Sequence, residues 1–357
     1  MPAGLEPLLE SLGRAQRKGF EYKGFVANHA PMGAEVLSTM DVGEELVGWT
    51  DTYLTWVDDP EPAKQRIDGD PVSLACALGD IERSTDWIEF FTRELAEAHW
   101  RDVVDAWWPR LLRGISAAGT HGFLRTAHAV RAMNEHGSEH PLLLDEIAHG
   151  LGYWAARYQE LPGVYAQARP LRTAPGALET IPWLPATAKS RREGIPGRLD
   201  LLRDDREFAA GVESFRPTVS WPDQIGRLTQ IGARAFAAHH NTPIPFVHLV
   251  TAPSALRMLS KDLTAEALES TAWHLWQFFA GIFAGFGALT PEPAAVPVEP
   301  APSIDALRTA AVEHGDEHVI KFTDACLTEF TISGDDIFLR AASLAPARFG
   351  ALHCKPR

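Results

Sequence analysis

The stretch Thr120-His121-Gly122-Phe123-Leu124-Arg125-Thr126-Ala127-His128-Ala129-Val130 holds the densest set of side chains able to do chemistry. His121 and His128 are seven residues apart. Seven residues make nearly two helical turns, so both imidazoles are expected to point the same way, about 10 Å apart along the axis. Arg125 falls on the same face between them. On their own, two histidines on a core-facing stripe read more readily as structural than as ligands. A metal held by both has to lie off the helix axis and take further ligands from facing helices.

Such ligands are available elsewhere in the chain. His29 stands at a helix entry between Asn28 and Ala30. His248 lies in Phe246-Val247-His248-Leu249-Val250, an apolar setting in which a histidine needs a reason to be present. His318 and Lys321 are three apart, hence neighbours on one helix face. Burial beside Val319, Ile320 and Phe322 would depress the Lys321 pKa and favour the neutral amine. Spacing alone leaves two readings open, a buried hydrogen-bonded polar cluster and a set of converging ligands.

Two other histidine patterns carry less. His136-Gly137-Ser138-Glu139-His140 matches the HxxEH form of some zinc proteases. That motif needs one continuous helix, and Gly137, Ser138 and the following Pro141 argue for a turn. His314-Gly315-Asp316 matches the HxD fragment of iron facial triads, but Asp316 sits where a helix N-cap is expected. There is no GxGxxG after a strand, no P-loop, no HExxH and no GxSxG, so neither a dinucleotide subdomain nor a serine hydrolase is expected.

The elements that must position these residues read as helices throughout. Amphipathic or capped patterns cover Glu6–Arg17, Pro31–Leu37, Asp86–Glu97, Trp100–Leu112, Ala117–Asn134, Leu142–Gln159, Asp223–His240, Ser254–Leu268, Ser303–Glu313 and Glu317–Glu329. Strand patterning is nearly absent; Pro245–Thr251 is its best candidate and reads equally as the lead-in to a helix. Leu161-Pro162-Gly163 is a firm helix stop. From there, roughly 161–200 reads as an irregular excursion, and 290–302 as a proline-rich extended loop. Ala272–Leu289 is almost wholly apolar but carries His274 and Gln277 and lacks a basic flank, so a buried central helix is expected rather than a membrane span. The expected fold is all-α, one large helical domain over residues 1–357.

Composition agrees with a packed globular chain: 357 residues, 45% hydrophobic and 22% charged. The 11 tryptophans either line an aromatic pocket or fill a core. A net charge of -14 with no basic cluster beyond Lys189-Ser190-Arg191-Arg192 argues against a nucleic-acid partner. Cys76, Cys326 and Cys354 form neither a CxxC pair nor a disulfide framework. Met1–Lys23 has no signal-peptide core, so a cytoplasmic chain is expected. Nothing in the sequence bears on oligomeric state.

Six blocks together resemble the signatures of the questin oxidase-like family. They are Asn28-His29-Ala30-Pro31-Met32, Trp107-Trp108-Pro109-Arg110-Leu111-Leu112, Thr120-His121-Gly122 through His128-Ala129-Val130, Tyr153-Trp154-Ala155-Ala156-Arg157-Tyr158, Val247-His248 with Thr251-Ala252-Pro253, and His318-Val319-Ile320-Lys321. The blocks run in order over most of the chain; the region after Pro162 and the proline-rich stretch match little. The resemblance implies an oxygenase that opens or oxygenates anthraquinone-type polyketide rings with O2. In one branch this is the work of a non-haem Fe2+ held by four histidines and a lysine carboxylated on its amine. Carried over, the ligands would be His29, His121, His128 and His248, with Lys321 as the modified residue. Four neutral imidazoles leave the ion its full charge, and a carbamate would add one anionic oxygen. His318 would be an alternative ligand or orient Lys321, and Asn28 and Arg125 would support the ligands or a developing oxyanion. Two alternatives accompany this expectation: a metal- and flavin-free Baeyer–Villiger oxygenase using NADPH, and a non-catalytic carrier of an aromatic ligand.

Overall fold

The computed structural model describes residues 4–40, 42–137, 140–164, 171–289 and 300–352. The fold is all-α, about 67% helical, with one two-residue antiparallel ladder, β1 (Glu21–Tyr22) with β2 (Val26–Ala27). By Cα proximity the chain divides into two compact units. One is Met1–Gln159 with Arg308–Lys321 and Phe349–Arg357; the other is Glu160–Leu307 with Phe322–Arg348.

The first unit contains α1 (Leu5–Ala15), α2 (Ala30–Thr39), α3 (Glu45–Leu54), α4 (Pro71–Ala77), α5 (Ser84–Glu97), α6 (Trp100–Leu111), α7 (His121–His136) and α8 (Pro141–Ala156). Its centre is the α7–α8 pair, with α5 packed on α8 and α2 on α7. Glycine sets the closeness of that pair. A Cβ on Gly122 would fall 2.4 Å from Trp154 Cα, and one on Gly150 2.8 Å from Thr126 Cα. Side chains at these positions would push the helices apart, so the two backbones meet where each lacks one. Tryptophans here fill the core: Trp87, Trp108 and Trp154 are fully buried, and Trp87 and Trp154 give their indole N–H to the carbonyls of Ala77 and Gly114. Gly137 ends α7 in the left-handed region and His140 caps α8 on Leu142 N–H, so the two histidines of the HxxEH pattern belong to different helices, with Ser138 and Glu139 outside the described residues.

The second unit contains α9 (Ala174–Leu178), α10 (Gly194–Asp200), α11 (Arg206–Glu213), α12 (Trp221–Ala238), α13 (Pro243–Met258) and α14 (Ala265–Phe286). The chain then continues through α15 (Ile304–His314), α16 (Glu317–Ser333) and α17 (Ile337–Leu344), and the unit boundaries fall inside α15 and α16. The apolar segment is helical as expected: α14 is buried along Leu275–Ile282, and no helix among the described residues is long and apolar enough to cross a membrane. Gln277, the polar residue inside that stretch, has a task. Gln277 donates to the carbonyls of Leu161 (2.8 Å) and Pro162 (3.1 Å), satisfying the chain where the stop signal breaks it. The excursion after Pro162 contains the short helices α9 and α10; residues 165–170 lie outside the described residues, as does 290–299 of the proline-rich loop.

Of the two readings of Pro245–Thr251, strand or helix lead-in, the helix holds: the segment is part of α13. Residues 245–256 are buried on every side, so no polar face exists to reveal a period of 3.6. Pro253 removes the N–H that would bond Leu249 O, and that carbonyl faces Gly232 of α12, whose hypothetical Cβ would lie 2.4 Å from it.

Candidate metal centre

His121 is presented by an unusual piece of backbone. Ala118, Gly119 and Thr120, immediately before α7, all lie in the left-handed region at φ 49°, 67° and 74°. Two of the three are not glycine, a conformation that costs about 1–2 kcal/mol per residue and survives only where its surroundings enforce it. The result is that Ala118 O receives the Nδ1–H of His121. A carbonyl can only accept, so the proton sits on Nδ1 and the His121 lone pair on Nε2.

His29 arrives from the other direction, at the N-terminus of α2. Asn28 fixes that entry: its Nδ2 donates to Gly19 O (3.1 Å) and its Oδ1 accepts from Ala30 N–H (3.0 Å). The phenol oxygen of Tyr53, buried in α3, lies 3.2 Å from both His29 N and His29 Nδ1. Nε2 of His29 then stands 2.8 Å from Nε2 of His121, with the rings nearly perpendicular at 86°. Two nitrogens this close have to share an electropositive centre, either one proton or one cation. Imidazoles bound side by side to a first-row ion at about 2.1 Å stand about 3 Å apart.

The first turn of α16 brings the third ring. The His318 ring lies 4.8 Å from that of His29 and stacks on Phe349 at 5.3 Å. Asp316 caps this helix, accepting from the backbone N–H of His318 (2.9 Å) and Val319 (3.1 Å). His318 Nδ1 is buried without a hydrogen-bond partner, 3.5 Å from both Asp316 Oδ1 and Glu317 Oε1. One ligating atom from each of these three buried residues falls within 4.8 Å of the others, the spacing of a cation site. Lys321 follows one turn on, 5% exposed, with Met32 Sδ at 4.0 Å from its Nζ. Burial lowers the Lys321 pKa to about 7, against the upward pull of Glu317 and Asp316, so a large fraction is neutral amine near pH 7.

His128, two turns along α7 from His121, is oriented by Glu35. Its Nδ1 lies 2.7 Å from Glu35 Oε2, and Glu35 is held on its other side by Arg131. Burial keeps His128 neutral, with Glu35 opposing and the charges of Arg131 and Lys321 reinforcing that shift. Beside His128, a void of about 10 Å³ lined by Met32, Glu35 and Glu146 has room for one water-sized occupant. His248 belongs to the second unit, where it is buried in α13 with Nδ1 2.8 Å from Ile244 O. The Nδ1 partners of His121, His128 and His248 thus direct each lone pair to Nε2, the arrangement typical of metal-binding histidines.

The chain matches no protein-family model and no curated protein. The reading of the site therefore stands on its own residues. Within the first unit, the structure gathers His29, His121, His318 and Lys321, with His128 next along α7. Asn28 positions His29 rather than facing outward. Arg125 is bound through two nitrogens to Glu146 and lies over the Phe20 ring at 5.4 Å, so it ties α7 to α8. Glu35, Tyr53 and Glu317 escaped the sequence reading. Glu35 did leave a signal, a lone acid in the otherwise apolar or small run Ala30–Leu37, all of it buried.

The donor set suits a first-row divalent ion. It offers three imidazoles, one of them with a buried nitrogen that has no hydrogen-bond partner, together with two buried carboxylates and an amine whose pKa burial lowers to about 7. His29, His121 and His318 with Glu317 would hold such an ion, and His128 and Lys321 stand ready beside them.

Proposed function

We propose that this protein is a non-haem iron oxygenase acting on a polycyclic aromatic substrate of the anthraquinone-polyketide type. The observation that carries the reading is the 2.8 Å approach of the His29 and His121 Nε2 atoms beside the unpartnered His318 Nδ1. The substrate class comes from the resemblance of the six sequence blocks. Bound among these residues, Fe2+ would supply Lewis acidity and one-electron access to O2.

The chain's own residues do the rest. The left-handed turn and Ala118 O hold the His121 proton on Nδ1, and Glu35 does the same for His128, so each ring presents its Nε2 lone pair and could serve as a donor to the ion. Lys321, buried and with a large fraction unprotonated near pH 7, accepts a proton from a phenolic substrate or takes up CO2 as a carbamate that adds an anionic ligand. Met32, Tyr53 and Phe349 border the polar cluster, whose histidines and lysine are buried. Cleavage of a ring C–C bond with both atoms of O2 entering the product balances without an external reductant.

The test is O2 uptake by the full chain with hydroxyanthraquinones, with and without Fe2+, and with 18O2 for product analysis. Iron-dependent uptake with two labelled oxygens in the product supports the reading. Turnover that survives chelation and requires NADPH would replace it with the metal-free Baeyer–Villiger chemistry. Absence of uptake in the iron-loaded chain across such substrates would remove the oxygenase reading.

A further inference from the structure

The second unit contains a cavity of about 440 Å³ that none of the preceding chemistry uses. Its size is that of small-molecule sites, which run from about 300 to 1,000 Å³. One wall is a stripe of α14. Glu266, Glu269, Ser270 and Trp273 stand at i, i+3, i+4 and i+7 of that helix, hence on one face. Trp221, half-buried at the start of α12, lines the cavity as well. The stripe is graded along the helix: Trp273 is buried, whereas Glu266 and Glu269, nearer the N-terminus, are exposed. The aromatic wall therefore lies inside and the carboxylates at the mouth, with about 6 Å along the axis between Glu269 and Trp273.

The charge at that mouth is one-sided. Glu266, in the first turn, is favoured there by the helix dipole, but Glu269 lies a turn further on and is not placed by it. Three residues apart, the two carboxylates repel each other, and among the described residues neither has an ion pair. No lysine or arginine lines the cavity among the described residues. His274, also in the lining, adds an acceptor. Its Nδ1 stands 2.8 Å from Ser270 O, a carbonyl that can only accept, so in the neutral ring Nε2 carries the lone pair. An occupant thus meets negative charge at one end and, at the other, indole rings, which bury apolar area and attract cations through their faces.

We propose that this cavity binds an arylalkylammonium, a flat aromatic body carrying a protonated amine, with its rings against Trp273 and Trp221 and its ammonium at Glu266 and Glu269. The proposal does not rest on the metal centre. Every lining residue named belongs to the second unit, and binding requires no redox step.

Calorimetry on the full chain at low ionic strength with tryptamine and its neutral counterpart tryptophol tests it. Tryptamine is expected to bind saturably at one site per chain and about fivefold more tightly than tryptophol, as two exposed ion pairs would give. The preference should vanish in about 1 M NaCl, where the Debye length falls to about 3 Å. Glu266→Gln with Glu269→Gln, both at exposed positions, should equalise the probes by weakening tryptamine alone, with the circular-dichroism spectrum unchanged. Absence of saturable tryptamine binding overturns the proposal. So does equal binding of the two probes by the parent chain, or a preference for tryptamine that persists in the folded double variant. If the double variant does not fold, the salt series decides: a preference unchanged in about 1 M NaCl overturns the assigned placement of the ammonium, and its loss supports it.

Discussion

Single side chains carry the strongest constraints in this molecule. Glu35 sits in a buried position between His128 and Arg131. Desolvation would raise its pKa, but Arg131 and His128 together bring it down to about 2. Glu35→Ala would remove the buried carboxylate that Arg131 and His128 share, and with it the group that orients His128. The expected loss is about 3 kcal/mol of stability, read by urea unfolding, since breaking a buried ion pair from one side is strongly destabilising. His149, whose Nδ1 bonds Asp145 O in α8 and whose ring meets Phe20 edge-on, titrates at about 4 because of its burial and, secondarily, the charge of Arg125. The unfolded imidazole takes its proton near 6.5 and the folded one only near 4, so the unfolded state binds more protons between those values. Stability is therefore full above pH 6.5 and falls as pH drops toward 4, by on the order of 3 kcal/mol from this group. His149→Gln should flatten that part of the stability profile; an unchanged slope between pH 6.5 and 4 would show that other groups set it.

At the scale of elements, the site depends on how closely α7 meets α8 and on how α7 begins. Gly122→Ala would place its methyl 2.4 Å from Trp154 Cα, a backbone atom that cannot turn aside. A loss of about 3 kcal/mol in thermal or urea unfolding is expected, at the upper end for overpacking. Ala118→Gly acts in the opposite sense. Glycine adopts φ 49° without penalty, so the variant should gain up to about 1 kcal/mol even after the added freedom of its unfolded chain. If the left-handed turn serves to aim His121, the gain comes with looser metal retention; equal stability and equal metal affinity would mean that the turn stores no strain. Element boundaries were legible at some caps, Asp316 before α16 and Pro141 at the start of α8, but α8 ends at Ala156, ahead of the Leu161-Pro162-Gly163 stop, and Thr264 caps α14 inside the helix expected over Ser254–Leu268. They were illegible at α13, where burial on all sides erases the period and only the length of the apolar run separates helix from strand.

Across the whole chain, the all-α fold and the buried course of α14 could be read from periodicity, because amphipathic and uniformly apolar segments of helical length leave few alternatives. The candidate site was legible in part. His121 with Arg125 and His128, and His318 with Lys321, follow from spacing on two helices, and His29 from its place at a helix entry. The approach of His29 to His121 was not legible, since it depends on three consecutive left-handed residues that local sequence does not announce. Nor was the commitment of Arg125 to Glu146, which requires knowing which face of α8 meets α7. The central claim is that this gathering of imidazoles, carboxylates and an amine holds one divalent iron, and elemental analysis of the tag-free chain and of His121→Ala tests it most directly. The expected result is close to one iron per parent chain and at least a tenfold loss in the variant, with the helical circular-dichroism spectrum retained. Iron absent from parent protein reconstituted anaerobically with Fe2+, or equally retained by His121→Ala, would contradict it and leave the His29–His121 contact as a proton-sharing pair.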